Sequence, residues 1–369
     1  MVRRLLYLMG IAVICVVLNH ASGWGFVSMF WWTDRYMPVS VPNFEQLGSV
    51  SYYALRMIEQ FIIFAIPSFL FVSGFFLAFA TGRNRTTVGR DVIFTRVKNL
   101  LIPYLIWSCV LLGLEVILGR NLTLEEFIRI LLTGQATEAY YFIPVLIQLY
   151  LISFFLIPLA RKYWKSVLIL TGLLQLFILL VRYVMILGLD IPALQPFYFL
   201  TSSWLFTSFL FWFTFGVVFG FHNPVIKPWL IRIRWYVLAS LVVVFFLGIF
   251  EWEALLQASG KEWIAPQETF IDQIYAGLFL IAFLGFESAA LPGMRTISQI
   301  GTKSFGVYLV HSLALIYTAK LIYHFIPGLL GVQWLFQPIL FAAGLGLPLL
   351  LMEITARSPA RRYYSVLFG

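Results

Sequence analysis

Charge is what this sequence has least of. Charged side chains make up 11% of its 369 residues, against about 25% in an average soluble domain. With 61% hydrophobic residues and a mean hydropathy of +0.92, that scarcity excludes both a soluble globular fold and a disordered chain. Cysteine is nearly absent too. Cys15 and Cys109 are the two present, and both fall in apolar runs, where a thiol behaves as a small hydrophobe. No disulfide framework is expected. The four histidines, His20, His222, His311 and His324, form no His-x-x-x-His pattern, so no metal site is expected either. Missing as well is the roughly ten-residue alternation of a membrane β-barrel.

What is present is a series of apolar segments at about 5–29, 57–80, 100–118, 141–159, 166–188, 198–221, 235–250, 270–286, 304–326 and 334–352. Each is near the ~20 residues that cross a bilayer as a helix. The sequence is therefore read as an all-α polytopic membrane protein of about ten transmembrane helices, one domain over residues 1–369. The first segment is too long for a secretory signal and no small-residue cleavage site follows it, so it is expected to be retained.

Orientation follows from the basic residues, which gather in cytoplasmic loops. An inside N-terminus puts Arg3, Arg4, the 83–98 loop, Arg161 to Lys165, Lys227 to Arg234, Arg295, Lys303 and Arg357 to Arg362 on the cytoplasmic face. Arg35, Arg56, Arg120, Arg129, Lys261 and Lys320 fall outside, and Arg182 falls within a span. Both termini are expected in the cytoplasm. The net charge of +9 then reflects sidedness rather than nucleic-acid binding. Glu251, Glu253, Glu262, Glu268 and Asp272 cluster on the outer side.

The first span ends its apolar run with Asn19-His20. An ionisable residue inside a span is a functional candidate because lipid cannot solvate it, although a packing histidine fits the same position. Counted along the helix, His20 lies roughly 22 Å from the cytoplasmic start of its span and His311 roughly 12 Å from that of the ninth. The pair fits one through-membrane cavity or two separate niches. Glu59, beside Arg56, and Glu115 are candidate carboxylates to orient the His20 imidazole, as in other base–orienter pairs. The basic loop that carries Arg90, Arg96 and Lys98 suits lipid head groups or the phosphates of an anionic donor. Ser73-Gly74 marks a place where a helix or ligand comes close.

Five pieces in order resemble a known family: Val16-Val17-Leu18-Asn19-His20; Pro67 to Phe75; Arg96-Val97-Lys98-Asn99-Leu100-Leu101-Ile102-Pro103-Tyr104; Tyr140 to Tyr150; and Ile300 to His311. Together they resemble the integral-membrane acyltransferase-3 family, whose members O-acylate extracytoplasmic sugars and other acceptors. The third and fourth pieces are most similar to the branch associated with intercellular-adhesin polysaccharide.

The resemblance implies a bacterial inner-membrane enzyme moving an acetyl or other small acyl group from cytoplasmic acyl-CoA to a hydroxyl of a polysaccharide or lipid-linked sugar. It implies His20 as general base, with Arg96, Lys98, Arg90, Ser73 and Gly74 toward the donor and Tyr141, Gln148, Tyr308 and His311 toward the acceptor. One position departs. The family usually carries an arginine eleven residues before its first-span histidine, and here that residue is Met9. Met9 keeps open a non-catalytic relative. The prolines Pro67, Pro144 and Pro348 within spans keep open a transporter or exporter of oligosaccharide.

Overall fold

A computed structural model describes residues 1–82, 85–264 and 269–369; Arg83 and Glu268 of the reading above lie outside the described residues. The described chain is helical, with no strand. The helices are α1 Val2–Phe30, α2 Val50–Ile62, α3 Ala65–Thr81, α4 Arg90–Ile117, α5 Leu124–Thr133, α6 Phe142–Lys162 and α7 Trp164–Ile186. After short 3-10 turns come α8 Leu210–Ser259, α9 Phe270–Gly285, α10 Met294–Thr302, α11 Ser304–Phe325, α12 Gln333–Arg357 and α13 Tyr364–Phe368. Among the described residues, eight helical stretches are long and apolar enough to cross a membrane, and α9 is a shorter apolar helix. This is a multi-pass membrane protein.

The apolar segments map onto these helices with two differences. The second segment is broken at Ile63–Phe64, so α2 and α3 are separate helices in one pass. The sixth and seventh segments share α8, whose helical geometry fails at His222 (φ −113°, ψ 16°). Pro224 and Pro228 follow, each removing a backbone donor and clashing with the preceding turn. The chain changes direction there. Gly216 and Gly220 lie on Phe71 and Ala78 in the order of α3, whereas Gly248 and Trp252 lie on Gln60 and Arg56 in the order opposite to α2. α8 is therefore two antiparallel helical legs that meet at His222.

Both ends of the chain lie at the end of the bundle richest in Lys and Arg. Ser298 Oγ donates to the Arg3 carbonyl at 3.2 Å, Lys303 pairs with Glu353 at 3.3 Å, and Lys227 pairs with Glu287 at 2.5 Å. We call this the basic end. Arg4 is buried there. Its guanidinium donates to the carbonyls of Phe286 (2.6 Å), Glu287 (2.7 Å), Ala289 (3.0 Å) and Phe283 (3.4 Å). These carbonyls lie at and beyond the C-terminus of α9, where a cation also interacts favourably with the helix dipole. Arg4 is thus a cap that joins α1 to α9.

Close backbone approach is seen where α3 packs on the first leg of α8. A Cβ at Gly216 would run into the backbone carbonyl of Phe71, and one at Gly74 into that of Phe213. Gly74 is therefore occupied by helix packing, and the ligand-approach reading of that residue is corrected. Overpacking costs about 1–3 kcal/mol when side chains can yield; backbone cannot yield without moving a helix. Gly216→Leu is expected to lower the melting midpoint of purified protein in detergent by several degrees or to abolish monodispersity. Gly113→Ala, with open space around it, is expected to stay close to wild type in the same scan.

Candidate active site

α1 and α11 bring two histidines together. The His20 and His311 ring centroids are 5.2 Å apart with the planes tilted by 45°. The depth difference expected from residue counting is therefore corrected: the rings share one level. α1 has 29 residues, about 43 Å of helix, more than the ~30 Å hydrocarbon layer. Position along α1 accordingly does not translate into depth.

His311 is fully buried, and His20 is half-buried. The His311 Nδ1 lies 2.6 Å from the carbonyl oxygen of Tyr308, one turn earlier. A carbonyl only accepts, so in the neutral ring the proton sits on Nδ1 and Nε2 keeps its lone pair. Ser312 Oγ is 3.4 Å from that Nε2. α11 is held at this height by two tyrosines: Tyr308 donates to the Ala139 carbonyl, and Tyr140 donates to the Leu309 carbonyl at 2.5 Å. The segment before α6 and the second turn of α11 thereby satisfy each other's carbonyls.

His20 lines a cavity of about 220 Å³. Asn19 and His20 form one wall, and Ile62, Ala65 and Pro67 form the floor from α2 and α3. Tyr308, Ala139 and Tyr141 stand beside the histidine, with Tyr141 stacked on Phe209 at 5.9 Å. Across from them, Gln175 and Arg182 of α7, Trp212 of α8 and Gln273 of α9 form a polar wall. Glu138 and Ser203 are exposed at the rim; both lie in connections at the end opposite the basic one. Among the described residues no protein group hydrogen-bonds to the His20 ring, so its nitrogens are left to whatever occupies the cavity.

The expected partners of His20 are elsewhere. Glu59 is 3% exposed and ion-paired with Arg56, 2% exposed. The Arg56 guanidinium also lies 3.7 Å from the centroid of the Trp252 ring. A buried carboxylate is tolerated when paired in this way, and Glu59 does not line the cavity. Glu115 is exposed and pairs with Arg120 at 2.5 Å. Neither carboxylate is brought to the imidazole. Their i, i+3 and i, i+5 arginine neighbours hold them instead, which corrects the base–orienter expectation.

Gln148 also lies outside the cavity. Its Nε2 donates to the Trp204 carbonyl at 2.8 Å and its Oε1 accepts from the Phe206 N–H at 3.3 Å, pinning the turns before α8. Toward the basic end, Arg96 is half-buried and bridges three helices. It donates to the Tyr150 hydroxyl of α6 and the Phe76 carbonyl of α3, each at 3.3 Å. Ser73 is half-buried one turn earlier in α3. Arg90 and Lys98 are exposed, Arg90 with its guanidinium 6.0 Å from the Phe154 ring. Met9 packs partly buried against the core, and Arg4, committed to the α9 carbonyls, does not take its place. Sequence reasoning missed Gln175, Trp212 and Gln273, and it noted Arg182 without a role. The available signal was a polar side chain inside an apolar span.

Among the described residues no group of three His, Cys, Asp or Glu is placed to hold a metal ion. No solved structure matches the chain. Proteins from three Staphylococcus aureus strains, MSSA476, MRSA252 and N315, each called a probable poly-β-1,6-N-acetyl-D-glucosamine export protein, are 25% identical to it over 265 residues. That alignment covers 70% of this chain and 71% of theirs. The model of an acyltransferase domain matches residues 4–353. With that match running from the Arg4 cap to the last turns of α12, and with the ordered motifs placed on α1, α3, α4, α6 and α11, the chain belongs to the acyltransferase-3 family.

Proposed function

We propose that this protein is an O-acyltransferase of the bacterial cytoplasmic membrane, transferring an acetyl or similar small acyl group from acyl-CoA to a hydroxyl of an extracytoplasmic polysaccharide or lipid-linked sugar. The observation that carries this reading is His20: an imidazole with no hydrogen bond among the described residues, facing a cavity with one polar wall, in a chain of an acyltransferase family. The positive-inside bias supports a cytoplasmic basic end, ten crossings and both termini inside. The rim at Glu138 and Ser203 then faces the outside, where the acceptor glycan is.

In this reading one His20 ring nitrogen takes the proton of the acceptor hydroxyl as its oxygen attacks the thioester carbonyl. The new O–C bond forms, the C–S bond breaks, and the proton passes to the departing thiolate. His311, held by the Tyr308 carbonyl, acts as a positioning residue that packs the His20 ring toward the cavity. The donor is assigned to the basic end, with Arg96 and Lys98 beside its phosphates. α3 connects the two regions: Pro67 lines the cavity and Phe76 receives Arg96. Nine residues of helix separate them by roughly 14 Å, a span that the extended pantetheine arm of a CoA ester covers.

A second reading is favoured by the names of the staphylococcal relatives: export of an oligosaccharide through the same cavity without acyl transfer. Met9, in place of the family's arginine, fits either that or a non-catalytic relative.

Two outcomes are expected. General-base catalysis supplies about 10²–10⁴-fold, so His20→Ala should reduce acyl transfer to an oligosaccharide by at least about 100-fold while leaving the protein monodisperse; full activity in that variant contradicts the mechanism. In equilibrium binding with acetyl-CoA, Arg96→Ala should weaken the donor about tenfold or more, because charge-assisted bonds are worth about 1.5–3 kcal/mol. The exposed Lys98→Ala should have a smaller effect that salt suppresses. Unchanged binding in both variants removes the donor assignment.

A further inference from the structure

The wall of the cavity facing His20 contains a hydrogen-bond chain whose direction is set by one indole. Trp212 Nε1 lies 3.0 Å from Gln273 Oε1. An indole N–H only donates, so it is the oxygen of the Gln273 amide, and not its nitrogen, that faces Trp212. The same oxygen then accepts from Gln175 Nε2 at 3.4 Å, and this second contact turns the Gln175 amide as well. Its nitrogen must point to Gln273, which leaves Gln175 Oε1 as an acceptor. That assignment does not depend on how either amide is drawn, because the donor-only indole fixes both.

Gln175 Oε1 has no hydrogen-bond partner, and Gln175 is 7% exposed. Among the described residues, other unpartnered polar atoms belong to Arg4, Thr33, Arg56, Ser68, Ser108, Thr137 and Thr214, none of which lines this cavity. A buried carbonyl left bare costs free energy that a ligand donor recovers. Two further properties narrow the ligand. An amide oxygen only accepts, so the ligand presents an N–H or O–H to it. The cavity, at about 220 Å³, is smaller than the ~300–1,000 Å³ that encloses a drug-sized molecule, so one sugar ring enters and the rest of a chain stays at the rim.

We infer that Gln175, oriented by Gln273 and Trp212, forms the acceptor subsite, and that it holds a sugar residue by accepting a hydrogen bond from a ring hydroxyl or an acetamido N–H. The subsite deepens the transferase reading and rests on it for the orientation of that sugar toward His20. Gln175 is a binding residue. Gln273 and Trp212 are positioning residues that act through it.

The test is calorimetric titration of the purified full chain in detergent with a β-1,6-linked N-acetylglucosamine oligosaccharide and no acyl donor, comparing wild type, Gln175→Met and Trp212→Phe. Gln175→Met keeps the length of the side chain and loses both amide functions; it should weaken binding about five- to tenfold. Trp212→Phe keeps an aromatic ring in the wall but loses the N–H that orients Gln273. It should weaken binding too, by a smaller factor, although the ring itself gives the sugar no hydrogen bond in this scheme. Retained acetyl-CoA binding by each variant establishes that it is folded.

Wild-type affinity in both variants, or absence of wild-type binding, overturns the subsite. Failure of the transferase reading has a different signature: oligosaccharide binding weakened as expected in Gln175→Met, together with undiminished acyl transfer by His20→Ala or none by wild type.

Discussion

The constraint on which this structure depends is the absence of water in the bilayer interior. A polar group there must be satisfied by the protein or it costs several kcal/mol, and much of the molecule follows from that requirement. Arg4 is satisfied by four carbonyls around the end of α9. Tyr140 and Tyr308 exchange bonds with each other's segments. Arg56 and Glu59 neutralise each other beneath Trp252. Asp272 accepts from Gln60 at 2.9 Å, and its backbone N–H donates to the hydroxyl of Thr269, which caps α9. These contacts join α1 to α9, α6 to α11 and α2 to α8 and α9, so the polar groups specify how apolar helices with little else to distinguish them are arranged.

Against that background the groups left without protein partners at the cavity acquire meaning. His20 and Gln175 stand on opposite walls of one space, on helices far apart in sequence. The first has chemistry to offer and the second has a hydrogen bond to accept. The tyrosine bonds and the His311 ring set the position of one wall, and the indole-directed amides set the other. The rim is built from the connections around Glu138 and Ser203.

Much of the architecture was legible in the sequence because the bilayer imposes length and polarity so strongly. The apolar segments fall on observed helices, and the basic residues gather at one end. His20, His311, Tyr141 and Tyr308 lie close together, where residue counting left the two histidines at different depths and open to one cavity or two niches. The breaks were less legible. The Ile63–Phe64 interruption has no glycine beside it, and Pro224 and Pro228 lay in what read as a loop but belong to a helix that turns at His222. The carboxylates misled because a titratable residue attracts attention, whereas Arg56 three residues before Glu59 already offered it a partner on the same helix face. Gln175 and Gln273 were passed over as neutral residues. Their importance comes from the contact with Trp212, a relation across α7, α8 and α9 that no local pattern encodes.

The central claim is that the two ends of this molecule meet chemically at His20. The measurement that tests it most directly is mass spectrometry of a β-1,6-linked N-acetylglucosamine oligosaccharide after incubation with sealed proteoliposomes of known orientation. Acetyl-CoA is placed on the side of the basic end and the oligosaccharide on the other. The account predicts oligosaccharide carrying an O-linked acetyl group, formed only with the donor on the basic side. Unmodified oligosaccharide crossing the membrane at the same rate with and without acetyl-CoA would contradict it and identify the cavity as part of an export path.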